Sequence, residues 1–355
     1  MRIAILLSGE PTARGGAEHW IHEVADHLRA HGDSVSVLVP GTAVHTPVRF
    51  TDEILFHSPL LELLKRTGLS GLYPPLMPAP RELERFDVVY VTTLHAFRVF
   101  LGKRPRLIVG THDAFLADRR WGIDALQVIS VLLLRIASKC EIRIHSICRP
   151  ITARMVLTSK TIFEIPNPPP AEHSYPVADP TFRITYLGRV SKRKGSDLLL
   201  KMIEETGRRP HVALTIAGSV DWDRRFSRAE RSHPKNVRFL GNVTDAVKFD
   251  ELRRSSALLF LSRRDSMPFV VLEALAHGVP VVSAWPWTSS VYPVPGVFDC
   301  GRDSGRLAEQ IDALYERWYR SHQEYMAYRE SIREYTLSRF SRDEILSRIR
   351  DMFHG

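Results

Sequence analysis

The sequence predicts an α/β protein of two doubly wound domains, each a parallel sheet with helices on both faces. Three observations carry this expectation. Short apolar runs of strand length alternate with amphipathic stretches of helix length. The alternation breaks once, at the proline-rich stretch PNPPPAEHSYPVADP (residues 166–180), and then restarts. A chain of 355 residues is also too long for one small core. The expected boundaries are a first domain over 1–167, a linker over 168–181, a second domain over 182–335, and a final helical segment over 336–355.

Residues 2–7 form an apolar run, followed by a loop over 8–16, a helix from about 17 to 31 and a strand over 35–39. This is a βαβ unit, with Ala17, Trp20, Ile21, Val24 and Leu28 as the apolar stripe of its helix. Gly15-Gly16 allows close backbone approach to a ligand at the helix start, although a tight turn without a ligand has the same spelling. His19, Glu23 and His27 share the opposite face and read as solvated rather than metal-binding. From Pro40 to Arg85 the pattern is weak. Strands over 87–91 and 107–109 end in the polar loops Thr92-Thr93-Leu94-His95 and Thr111-His112-Asp113, and in open parallel sheets such loops line the ligand crevice. An apolar helix near 123–137 and strands over 141–145 and 162–165 complete this half.

The second half repeats the scheme. Strands are expected over 183–187, 212–217, 237–240, 258–261 and 279–283, with helices near 196–205, 245–254 and 268–277. Residues 307–352 read as charged amphipathic helix, with Ser341 and Glu344 spaced as a capping box for its last segment.

Composition narrows the class. Hydrophobic and charged fractions of 44% and 25% are those of a globular enzyme. The net charge of +9 is spread among acids, with no nucleic-acid motif, so anionic small molecules or an anionic membrane surface account for it as well. Cys140, Cys148 and Cys300 form no disulfide or metal framework, read as buried inert side chains, and fit a reducing cytosol. The apolar stretch over 123–137 is too short to span a bilayer, so the expected location is cytoplasmic, with peripheral attachment at the inner face of the membrane still compatible.

Two stretches carry the chemistry. In Ser262–Val282, SRRDSMPFVVLEALAHGVPVV, Pro268 is expected at the first helical position and Gly278 with Pro280 as the stop. The helix between is nearly all apolar, so the charge of Glu273 must be met by something specific. Asp265, eight positions earlier, sits on the loop entering the helix beside free N–H groups. On this stretch alone, a site that holds hydroxyls or phosphates and a plain reading, in which Glu273 pairs with a core arginine and Asp265 or Ser266 merely caps the helix, weigh equally. The second stretch, Leu187–Gly195, lies between a strand and a helix and places Arg189 and Lys194 about a turn that can hold an anion, where a solvated basic turn is the plain alternative.

Ser262–Val282 resembles the carboxylate-x7-Glu motif of family 4 glycosyltransferases, and Leu187–Gly195 resembles their G-R-x4-K-G motif. Gly15-Gly16-Ala17-Glu18, Thr111-His112-Asp113 and Ile165-Pro166-Asn167 stand where the family has a Gly-Gly-x-Glu turn, a His-bearing loop and an I-P-N segment, and all five come in family order. The resemblance implies the GT-B fold, two Rossmann-like domains facing a cleft with the last helix crossing back to the first. It implies a retaining, metal-independent, hexosyltransferase-like enzyme that moves a sugar from a nucleotide diphosphate sugar to the hydroxyl of a glycan, glycolipid or small-molecule acceptor, with no cofactor and no nucleic-acid partner. A GT-B epimerase and a non-catalytic nucleotide-sugar-binding protein are the alternatives.

By the same resemblance Arg189 and Lys194 neutralise the diphosphate, Glu273 holds ribose hydroxyls, and Asp265 with backbone N–H groups of Ser266, Met267 and Phe269 holds sugar hydroxyls. Gly16 admits the phosphates, and His112 contacts the donor sugar. Two departures stand out. Asp265 replaces the usual Glu, and Trp285-Pro286-Trp287-Thr288 replaces a Gly-Gly loop, with both tryptophans candidates either to stack on a sugar or to pack in the core. Asp221-Trp222-Asp223 looks like the Asp-x-Asp metal motif of the other glycosyltransferase fold, but it stands among arginines in an expected loop.

Overall fold

In this computed structural model the described residues are 1–7, 16–41, 53–57, 81–92, 106–112, 142–149, 162–220, 224–263 and 265–355. The chain divides into two units, Met1–Asn167 with Asp343–Gly355, and Pro168–Arg342. The Gly15 half of the first turn, His95, Asp113, the apolar stretch over 123–137, Cys140 and Asp221–Asp223 lie outside the described residues.

Among the described residues the first unit carries seven parallel strands in the order β3-β2-β1-β4-β5-β6-β7. They are β1 (Arg2–Leu6), β2 (Ser34–Gly41), β3 (Glu53–His57), β4 (Val88–Val91), β5 (Arg106–Gly110), β6 (Ile142–Ser146) and β7 (Ile162–Glu164). Their near-continuous apolar spelling is what burial on both faces demands. Helix α1 (Gly16–Ala30) buries Trp20, Ile21, Val24 and Leu28. Of the three residues read as a solvated face, His19 is exposed while Glu23 and His27 are half-buried.

The second unit holds six parallel strands in the order β10-β9-β8-β11-β12-β13. These are β8 (Phe182–Leu187), β9 (Val212–Ala217), β10 (Val237–Gly241), β11 (Ala257–Phe260), β12 (Val281–Ser283) and β13 (Val297–Asp299). Between them run α2 (Ser196–Gly207), α3 (Arg224–Arg231), α4 (Asp245–Arg254), α5 (Phe269–Ala276) and α6 (Thr288–Val291). The strand order reverses between β8 and β11, so the loops leaving these neighbours flank the switch point where open α/β sheets bind ligands. Arg224, Arg225 and Arg228, expected in a loop, belong to α3.

The expected amphipathic helical run is three helices, α7 (Ser304–Arg320), α8 (His322–Arg339) and α9 (Arg342–His354), the last beginning directly after Ser341 as its capping-box spacing predicts. Ser321 breaks the first junction because its hydroxyl caps α8, accepting from the Glu324 N–H at 3.2 Å. Phe340 ends α8 with its ring buried. The C-terminal residues that belong to the first unit are Asp343–Gly355. In the first unit Arg143 donates to the Met352 carbonyl at 2.9 Å and also to that of Gly355, and Arg348 donates to Glu164 O at 2.8 Å.

Arg329 of α8 shows how the linker is pinned. Its buried guanidinium donates to Gly278 O at 3.1 Å, Arg253 O at 3.0 Å and Val177 O at 3.4 Å. Arg253 and Gly278 stand at the carboxyl ends of α4 and α5, so the negative ends of two helix dipoles meet the buried cation. Among the described residues no helix is long and apolar enough to cross a membrane.

Candidate active site

The loop leaving β8 is shaped by backbone that other residues resist. Gly195 has φ +86°, and a Cβ there would lie 2.2 Å from the Leu261 carbonyl oxygen. Only glycine lets this loop lie against the strand that precedes Ser262. The hydroxyl of Tyr186, buried beneath, donates to Arg189 O at 3.1 Å, and Lys194 O lies 3.4 Å from it. Val190 N–H donates to Ser219 O at 2.7 Å, which ties in the loop after β9.

This scaffold brings the two motifs together. Lys194 Nζ lies 2.6 Å from Asp265 Oδ2, across the switch point. Arg189 is exposed on the same loop and has no carboxylate partner among the described residues. Arg263 pairs with Asp197 in the first turn of α2 at 2.6 Å, and Arg302 reaches the same carboxylate at 3.1 Å while donating to Leu261 O. Burial pulls the Asp197 pKa up, but Arg302 and Arg263 more than offset this and hold it below the ordinary carboxylate value.

Pro268 stands one position earlier than expected. It is the N-cap of α5, with φ −67° and ψ 124°, and its carbonyl accepts from the buried Tyr292 hydroxyl at 2.6 Å. Ser266 and Met267 are buried and Phe269 half-buried at the helix entrance, where the positive dipole end favours an anion or hydroxyl. Glu273 is 5% exposed, and its specific partner is Lys248 of α4, at 2.7 Å. Burial alone would lower the Lys248 pKa. Glu273 and Asp245 outweigh it and leave the ammonium raised. Trp285, offered as a sugar platform, is 4% exposed and packs edge-on to Phe260, while Trp287 is half-buried at the start of α6. Cys148 is buried, but Cys300 is half-buried, where burial foremost and then Asp299 push its thiol up to about 11.

In the first unit Gly16 opens α1, and His112 lies half-buried just past β5. His112 Nε2 is 2.8 Å from the Tyr90 hydroxyl, which is 2.8 Å from His145 Nδ1, and His145 Nε2 is 2.9 Å from Ile165 O. Trp20 stacks on Tyr90 with ring centroids 4.7 Å apart. Burial, and then the charge of His145, hold the His112 pKa down at about 3, and burial holds that of His145 at about 4. Tyr90, His145 and Lys248 escaped the sequence reading. A polar residue inside a strand buried on both faces is the signal that finds Tyr90 in VVYV and His145 in IRIHS. Among the described residues no cluster of His, Cys, Asp or Glu is placed to hold a metal ion.

The sequence model of Glycosyltransferase Family 4 matches residues 14–153, and that of Glycosyl transferases group 1 matches residues 181–317. Together the matches span more than half of the chain and both motif-bearing units. The chain belongs to the family 4 glycosyltransferases. Comparison of this glycosyltransferase with curated proteins by sequence gives no match. Its fold is similar to that of sucrose-phosphate synthase from Thermosynechococcus elongatus, with a TM-score of 0.76 and 16% identity over 99% of this chain and 98% of that one. HepE of Anabaena, in complex with UDP and glucose, is similar at 0.68 and 16% over 99% and 98%. Pneumococcal O-GlcNAc transferase GtfA, in complex with UDP and GlcNAc, is similar at 0.71 and 11% over 100% and 98%. The glycosyltransferase thus has the GT-B type of fold, built from two parallel-sheet α/β domains.

Proposed function

We propose that this glycosyltransferase moves a hexose from a nucleoside diphosphate sugar to an acceptor hydroxyl, with retention at the anomeric carbon and without a metal. The observation that carries the reading is the meeting of Lys194 and Asp265 at 2.6 Å on the switch point, with Arg189 on the same loop. Arg189 and Lys194 take the charge that accumulates on the departing diphosphate, work that a divalent ion does in other designs. Glu273 holds ribose hydroxyls, oriented by Lys248. Asp265 and the N–H groups of Ser266, Met267 and Phe269 take sugar hydroxyls, Gly16 admits backbone to the phosphates, and His112 contacts the transferred sugar. The relatives with UDP and a sugar bound support a nucleotide-sugar donor for the shared fold.

The test is a thermal-shift screen of nucleotide sugars, followed by product analysis with and without sugar acceptors in the presence of chelator. A donor at a hundred times its Kd adds about 2.7 kcal/mol of stability. Transfer with retained anomeric configuration in chelator is the expected result. Conversion of the donor without acceptor would replace the reading with an epimerase, and binding without turnover would replace it with a sensor.

A further inference from the structure

We infer that the amino edge of the second sheet carries a binding site for a neutral carbohydrate chain, separate from the donor loops. Strands β8 and β9 begin at Phe182 and Val212, and the residues just before them lie beside the last turns of α7. There a shallow groove of about 470 Å3, within the range of ligand pockets, is lined by Pro180, His211, Tyr315, Trp318, Tyr319 and His322. The donor motifs leave the opposite ends of these strands, and the six residues of β8 put about 20 Å between the two places. The groove is therefore no part of the donor site.

Tyr315, Trp318 and Tyr319 follow each other at helical spacing on one face of α7. The ring centroid of Tyr315 is 5.8 Å from that of Trp318 and 5.7 Å from that of Tyr319, with planes 30° and 27° apart. His211 adds a ring 4.2 Å from Tyr315. Packing explains part of this, since the buried Phe182 meets Tyr315 and Trp318 edge-on. It does not explain Tyr319, which lies outside the buried stripe of Leu307, Ile311 and Leu314 and is 71% exposed. A groove lined by nearly parallel rings and open to water marks a binding surface.

The chemistry of the rim selects the occupant. His211 and Tyr315 also line an adjoining depression of about 580 Å3, walled by Glu205, Arg208, Arg209, Asp312 and Glu316. Arg209 holds Asp312 through Nε at 2.9 Å and a terminal nitrogen at 3.1 Å, and Glu205 at 2.8 Å. These planar groups are fixed in place while their carboxylates stay partly exposed, ready to accept from hydroxyls. A hexopyranose has an apolar C–H face to lay on an aromatic ring and an equatorial rim of hydroxyls for such carboxylates and guanidiniums. The ring spacings on α7 are comparable with the advance of one sugar along a linked chain. An anionic bilayer fits poorly, because the polar wall mixes three acids with two arginines and the surface is concave. The chain belongs to a family of sugar-transferring enzymes, so a glycan is the partner at hand. Anchored here, a long acceptor stays with the enzyme between transfers at a raised effective concentration, a consequence that rests on the proposed transfer to an acceptor hydroxyl.

The test is calorimetric titration of the full chain, without donor, with maltohexaose, cellohexaose and mannohexaose. At least one should bind at millimolar concentration or below. Tyr319→Ala and Trp318→Ala should each weaken that binding about tenfold, the loss of one hot-spot contact, and Trp318→Phe should recover most of it by keeping a flat ring. Tyr319 is exposed, so its alanine variant keeps the fold, which a thermal melt checks. Arg189→Ala should bind the glycan as the wild type does. Where transfer is measured, Tyr319→Ala should raise KM for a hexasaccharide acceptor about tenfold and leave KM for the monosaccharide unchanged. Failure of all three glycans to bind, or equal binding in the Tyr319 and Trp318 alanine variants, overturns the site. Binding lost in Arg189→Ala would move the glycan to the donor loops, and an equal rise in both KM values would remove the anchoring role. Two further results would overturn the carbohydrate assignment in the absence of glycan binding. Adsorption to phosphatidylglycerol and phosphatidylcholine vesicles that Tyr319→Ala abolishes would make the groove a membrane face, and a dimer in light scattering that the same variant dissociates would make it an interface between copies. The titration needs no turnover, so a wild type without transferase activity would sink the proposed function and leave the groove to be decided by glycan binding.

Discussion

Lys194 Nζ and Asp265 Oδ2 stand 2.6 Å apart and join the loops that leave β8 and β11. A diphosphate brought to that ammonium competes with the Asp265 carboxylate for the same charge, and a sugar hydroxyl brought to Asp265 relieves the competition from the other side. Donor binding in this reading is an exchange of partners. Asp265→Asn should therefore tighten binding of a free nucleoside diphosphate by roughly two- to fivefold, the value of a partly exposed ion pair, while turnover of the intact donor falls. Calorimetry with both ligands checks this. Weaker diphosphate binding in the variant would show that Asp265 orients Lys194 instead of competing for it.

Arg189 and Lys194 are expected to act on the transition state more than on bound donor, since charge builds on the leaving diphosphate as the glycosidic bond breaks. Each alanine variant should lose roughly a hundredfold to a thousandfold in kcat, about 2.7–4 kcal/mol, well beyond any rise in KM. Arg189→Lys should recover little because a point charge does not reproduce a two-pronged contact. Steady-state kinetics decides. Full turnover with weaker donor binding would make the pair a docking patch.

Lys248 is the partner that the buried Glu273 requires. Lys248→Met leaves that carboxylate without its counter-charge and should destabilise the fold by about 3 kcal/mol, the low end for a broken buried pair because the lysine is partly exposed. The raised lysine pKa means the contribution is fully present below the lysine's unfolded value and disappears as pH rises through the folded one. Urea melts at pH 8 and pH 11 should differ in the wild type and converge in the variant.

His112 and His145 make the first unit acid-sensitive. Their folded pKa values of about 3 and about 4 lie below the unfolded value, so the unfolded chain takes up protons that the fold refuses. Stability is present in full above pH ~6.5 and is lost as pH falls toward those values, at up to about 1.4 kcal/mol per pH unit for each ring. Melts at pH 7 and pH 5 should show the loss, and His145→Gln should remove about half of it. A loss unchanged by that substitution would assign the acid sensitivity elsewhere.

Much of this architecture is written in local spelling. Val212–Ala217 has the same bounds in sequence and structure, and the glycines about Arg189–Gly195 announce the turn they form. For Lys248, Tyr90 and His145 the physical cause of the miss is distance along the chain. Lys248 is an unremarkable helix residue until α4 packs beside α5, and Tyr90 meets His112 and His145 only because β4, β5 and β6 are neighbours in the sheet. Strand β13 has three residues, too few to show a period. Trp285 was ambiguous because an aromatic ring suits a core and a sugar equally well, and only its burial decides for the core. The break at Ser321 lacks the glycine or proline that usually marks one, whereas the spacing of Ser341 and Glu344 announces the start of α9.

The segment Asp343–Gly355 belongs to the unit whose other residues end at Asn167. On a ribosome adding about 5–20 residues per second, roughly ten to forty seconds separate the emergence of β7 from that of α9. During that interval the nascent first sheet lacks Met352 and Phe353, two fully buried side chains, and its β6 Arg143 lacks the carbonyls it will hold. The domain synthesised second has all its strands before the domain synthesised first can close, so the order of birth and the order of completion are reversed.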